Sequence, residues 1–116
     1  MPSESAIFAL RDIAFHIDLA SHFTKGFDFT AFCDDLRTVY AVTRCLEIIS
    51  EASRRLPEAM KTRHPSIAWK NMAAAGNVYR HDYEDVAATV VWDTVRLALP
   101  PLRAAVEREL ADLGAA

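Results

Sequence analysis

His81 and Tyr83 stand one residue apart in the run Arg80-His81-Asp82-Tyr83, with Asn77 shortly before them. A histidine with an ordinary pKa of roughly 6.5 exchanges protons near neutral pH, which makes His81 the natural acid–base candidate. A guanidinium stabilises a developing oxyanion through planar, forked donors better than a diffuse ammonium does. The nearest one is Arg80, directly beside His81. Neighbouring residues usually point apart, so the two converge if the loop turns Arg80 inward or if one chain's arginine complements a second chain's histidine. Other roles stay open: a histidine near a helix end also serves as a cap or hydrogen-bonding group, and a tyrosine can anchor a loop against the core. His16, His22 and His64 lack metal-ligand spacing, so surface or core roles are expected for them and no metal site is.

These residues need elements to position them, and the apolar spacing is helical throughout. Leu10, Ile13, Ile17 and Ala20 predict a helix from about Glu4 to Phe23. Phe8, Phe15 and Leu19 add apolar surface off that stripe, so the helix wants two partners. Lys25-Gly26 ends it, and Asp28 or Thr30 caps the next start. Phe32, Leu36, Val39, Val42, Leu46 and Ile49 then predict one long second helix to about Leu56. Pro57 ends that helix or starts a short one. His64-Pro65-Ser66 is a further break, with Ser66 as the cap of a third helix from Ile67 through Trp69 and Met72 to about Tyr79. The loop 80–84 follows. A last helical stretch opens near Asp85, carries Val91, Val95 and Leu99, and resumes after Pro100-Pro101 with Leu102, Val106, Leu110 and Leu113. The prolines should bend or split it. Short loops between amphipathic helices give an all-α, antiparallel bundle of four main helices plus a short connecting helix.

The chain has 116 residues, 52% apolar and 25% charged, with neither repeats nor low-complexity tracts. One domain over residues 1–116 is expected, large enough to bury a core without disulfides or metals. The opening Met1-Pro2-Ser3-Glu4-Ser5 lacks a basic region, and Arg11 and Asp12 interrupt the early apolar stretch, so no secretion signal is expected. The longest run without a charged residue or histidine is Asn71 to Tyr79, too short to span a membrane. Cys33 and Cys45 fall on one predicted helix, roughly 18 Å apart by helical rise, too far to be bridged, and read as buried thiols suited to the cytoplasm. The net charge of −3 argues against a protein that coats nucleic acid with its whole surface. Its distribution is uneven. Between Arg54 and His81, six cations (Arg54, Arg55, Lys61, Arg63, Lys70 and Arg80) face one anion, Glu58, which gives +5 there and −8 elsewhere. Such a segment is either a phosphate-facing surface or a solvated connector.

Three segments together resemble the HepT family of the HEPN superfamily, in order and over nearly the whole chain. The first is Phe29-Thr30-Ala31-Phe32-Cys33-Asp34-Asp35-Leu36. The second runs Arg44-Cys45-Leu46-Glu47-Ile48-Ile49-Ser50-Glu51-Ala52-Ser53-Arg54-Arg55-Leu56-Pro57. The third takes in Ile67-Ala68-Trp69-Lys70-Asn71-Met72, Gly76-Asn77, Arg80-His81-Asp82-Tyr83, Val91-Trp92 and Leu99-Pro100. The resemblance implies a HEPN-like bundle and the toxin of a toxin–antitoxin pair, a metal-independent ribonuclease whose motif is an arginine followed by His-x-Tyr. His81 and Tyr83 fill the latter positions, and Asn77 the polar one after the arginine. Gly76 stands where the arginine belongs. That substitution favours an alternative, a HEPN domain without cleavage that binds a nucleotidyltransferase.

For an active enzyme the implied site is His81, Arg80, Tyr83 and Asn77, with weaker RNA contacts from Arg54, Arg55, Lys61, Arg63 and Lys70. The implied partners are a second copy, RNA, and an MntA-like nucleotidyltransferase antitoxin that places AMP on Tyr83; no cofactor is implied. A bundle with a purely structural or interaction role leaves the His81/Tyr83 pair unexplained. Asp34, Asp35 and Glu51 are shared polar positions for which cap, salt bridge and active-site support remain alternatives. Trp69 and Trp92 read as core.

Overall fold

A computed structural model describes residues 4–74 and 84–114, and among these every regular element is helical. The order is α1 (Glu4–Thr24), α2 (Phe29–Asp34), α3 (Leu36–Arg54), α4 (Glu58–Thr62), α5 (described over 69–74), α6 (Glu84–Asp93), a π-helical turn (Thr94–Ala98) and α7 (Leu99–Asp112). No described helix is long and apolar enough to cross a membrane.

Helix α1 buries Ala6, Ala9, Leu10, Ile13, Ile17 and Ala20 against α3 and α7. That is the expected stripe. Off that stripe, Leu19 packs against the core, whereas Phe8 and Phe15, one heptad apart, stand 60% and 61% exposed among the described residues. Gly26 stops the helix at φ +81, a backbone conformation that costs glycine nothing. Asp28 then caps α2, accepting the Ala31 amide at 2.8 Å.

The single long second helix expected from the spacing is in fact two. Asp35 leaves helical geometry (φ −110, ψ 89), and its carboxylate accepts the Thr38 amide, so it caps α3 three residues after Phe32. Cys33 and Cys45 therefore sit on different helices, Cys33 partly buried and Cys45 buried; they form no disulfide, and burial pushes the Cys45 thiol up. The break lets Phe32 turn fully into the core beside Trp92, at 5.2 Å between ring centroids. Trp92 and Trp69 both pack against the core, as expected.

Pro57 caps the short α4, so there are two short helices where one was expected. The next helix begins later than Ile67, and Ser66 does not cap it. The Ile67 amide closes a turn on His64, and the first helical bond runs from Met72 to the Ala68 carbonyl. The last stretch stays helical through the proline pair and is divided into α6 and α7 by the π-helical turn. Pro100 and Pro101 occupy the first turn of α7, where their missing N–H groups cost little, and the helix widens to a π turn just before them. The Leu99 amide reaches back to the Thr94 carbonyl, the longer spacing of that turn.

Candidate functional site

Helix α5 leads directly into Asn77, Arg80, His81 and Tyr83. Those four residues and Gly76 lie outside the described residues. The structure describes how the approach to them is held.

At the start of α5, the Trp69 indole N–H donates to the carbonyls of Lys61 (3.1 Å) and His64 (3.0 Å), fastening the helix to the connector behind it. Further along, the Ser50 hydroxyl donates to the Ala73 carbonyl at 3.0 Å, and Ser53 donates to the Ser50 carbonyl at 2.7 Å. Both serines are buried in α3. A buried hydroxyl without a partner is costly, so the Ser50 bond also fixes where α5 can lie on α3, while the Ser53 bond stays within α3.

The connector is tied to α7 by a buried carboxylate. Glu109, 3% exposed, accepts at Oε1 from Arg63 Nη2 (2.6 Å) and at Oε2 from Arg63 Nε (3.1 Å) and His64 Nε2 (2.7 Å). The paired arginine bonds hold its carboxyl below the usual carboxylate range, against burial, which pushes the other way; His64 adds to the lowering. The same bonds raise Arg63. Sequence reading passed over Glu109, Ser50 and Ser53. The signal was present: Glu109 follows Val106 by three positions and Leu102 by seven, a charge on an apolar stripe.

The five basic residues expected to face RNA separate into two groups. Arg55 is paired with Asp12 across to α1 at 3.2 Å, and Arg63 is taken by Glu109. Arg54 is exposed and shares a 220 Å³ depression with Asp12, Arg44, Glu47, Ile48, Glu51 and Arg55, where acids balance the arginines. Lys61 and Lys70 line a different cleft of about 320 Å³ between α4 and α5, with Glu58, Thr62, Trp69 and Ala73. Lys61 Nζ lies 3.9 Å from the Glu58 carboxylate.

Of the shared acids, Asp35 is a helix cap, Asp34 ends α2, and Glu51 is exposed at the mixed depression. His16 bonds the Asp12 carbonyl at 2.8 Å, and His22 packs on Phe23. Among the described residues, no group of three or more His, Cys, Asp or Glu is placed to hold a metal ion.

The family described as "Ribonuclease HepT-like" matches residues 9–109. A protein of Thermococcus cleftensis named "Probable ribonuclease HepT" is 40% identical over 99 residues, covering 85% of this chain and 90% of its own length. Two proteins of Methanocaldococcus jannaschii named "Putative RNase" are 32% and 30% identical over 113 residues, each across 97% of this chain and over 97% and 93% of their own lengths. No solved structure matches.

Proposed function

This chain belongs to the HepT-like ribonuclease family, and we propose that it is the toxin of a toxin–antitoxin pair, an endoribonuclease that works without a metal. The observation that carries this reading is the family match over residues 9–109, which spans the His81 and Tyr83 pair. His81 moves the proton, and Arg80 replaces the motif arginine whose place Gly76 has taken. Asn77 and Tyr83 complete the site. The relatives' names support an RNA substrate. Two cysteines that form no disulfide suit a cytoplasmic, single-domain protein.

Two copies pair, and the outward Phe8 and Phe15 of α1 are the apolar surface available for it. Light scattering at micromolar concentration should give a dimer; a monomer refutes the pairing.

Control comes from an MntA-like nucleotidyltransferase that places AMP on Tyr83. A bulky anion two residues from His81 competes with RNA phosphate both sterically and by charge. Mass spectrometry of the chain co-expressed with such a transferase should show an adduct of AMP mass that vanishes in Tyr83→Phe. An unmodified protein in a tight complex points instead to simple sequestration.

The activity is tested by RNA cleavage with purified protein. Arg80→Ala should lower the rate about 100-fold, the roughly 3 kcal/mol that one oxyanion donor contributes. The Gly76 substitution favours the second reading, a HEPN domain that binds the transferase without cutting. Wild-type protein inert toward RNA while complexed with the transferase establishes that reading.

A further inference from the structure

We infer that the cleft between α4 and α5 is a subsite for the phosphodiester backbone of single-stranded RNA, held by Lys61 and Lys70. This rests on the ribonuclease reading and names a binding surface for it. The cations of the segment are not equivalent. Arg63 is committed to the buried Glu109, Arg55 faces Asp12 in an exposed pair at a different depression, and Arg54 stands there among acids. Lys61 and Lys70 are brought by two different helices to the walls of one cleft of about 320 Å³.

Lys61 is well placed for a phosphate. Its side chain is only 15% exposed, so its stem is held by packing and little rotamer freedom is lost on binding. Its anionic neighbour among the described residues, Glu58, is 89% exposed at 3.9 Å, a solvent-screened pair that leaves most of the lysine's charge available. Thr62 and the indole of Trp69 also line the cleft; Trp69 is fixed by its two carbonyl bonds and gives a base a rigid apolar surface. Ala73 lies on the wall and closes the cleft on the α5 side. Among the described residues of the lining, Glu58 is the one acid, and it opposes the phosphate.

The test is binding of the full chain to a fluorescent, single-stranded 2′-O-methyl RNA, read by anisotropy across a salt series. This RNA keeps every phosphate but lacks the free 2′-hydroxyl. The variants are Lys61→Met, which keeps the packed stem, and Lys70→Gln, alone and together. Each lysine that releases a counterion contributes about 0.7 to the slope of log affinity against log salt, so the pair should flatten it by about 1.4. Glu58→Gln should tighten binding, which a merely structural role for these residues does not produce. Arg55→Gln should leave the slope unchanged. Wild-type binding with an unaltered slope in the double variant overturns the subsite and leaves the ribonuclease reading standing. A wild type that binds no RNA overturns both, and 5′-AMP bound as tightly as the oligonucleotide overturns the assignment to RNA.

Discussion

Glu107 and Glu109 lie two positions apart on α7 and both accept from an arginine, yet they have different consequences. Glu107 meets Arg103 at 2.7 Å one turn away on the same helix; its side chain is 63% exposed, and Arg103 also grips Asp18 of α1 at 2.7 and 3.0 Å. Glu109 is 4% exposed in its side chain and bonds two residues of a distant connector. The outer network exchanges water for similar partners. The inner one leaves a carboxylate that water cannot rescue, so the chain between α4 and α5 has to lie where Arg63 and His64 reach it. Charge pairing specifies structure where solvent is excluded and merely decorates it elsewhere.

This contrast can be broken by substitution. Glu109→Ala should have the largest effect, about 2–3 kcal/mol of stability lost with its charged hydrogen bonds, read as a lower urea midpoint. A loss as small as that of an exposed pair would remove the distinction. The pH dependence sharpens it. Because the Glu109 carboxyl is held below its ordinary value of 4.5 in the folded chain, its contribution is complete above that value and disappears as pH falls through the lower folded one. Wild type should therefore lose stability in that acid range more steeply than Glu109→Gln; parallel curves contradict the pairing.

Ser50→Ala comes next, at about 1 kcal/mol, since one hydroxyl bond to Ala73 is lost. Arg103→Ala should be the smallest, below about 1 kcal/mol, and should shrink further as salt is added. If Arg103→Ala proves as damaging as Glu109→Ala, burial is not what separates the two networks.

Much of the scaffold was legible because its signals are local. The stripe of α1 and its stop at Gly26 were read from spacing and one glycine, Asp28 from its capping carboxylate, and the boundary at Pro57 from proline's inability to continue a helix. The break at Asp35 was not. Phe32, Leu36 and Val39 continue a helical period straight through it, and no glycine or proline interrupts them; only the burial of Phe32 in three dimensions decides for a cap. The π turn escaped for a related reason, since a proline pair signals a break and tertiary packing chose a widened helix instead.

The site divides in the same way. The basic segment was visible as composition, but which cations are taken depends on Asp12 and Glu109, acids 43 and 46 positions away in sequence. The roles of His81, Arg80, Tyr83 and Asn77 came from the motif, and these residues lie outside the described ones.

The most direct measurement is therefore of the motif itself: cleavage of a labelled RNA by purified wild type and by His81→Ala, both in excess chelator, with thermal melts to confirm that the variant is folded. The ribonuclease reading predicts cleavage by wild type that chelator does not reduce, and none by a His81→Ala protein of nearly unchanged stability. Equal cleavage by the two proteins, or activity that chelator abolishes, contradicts it.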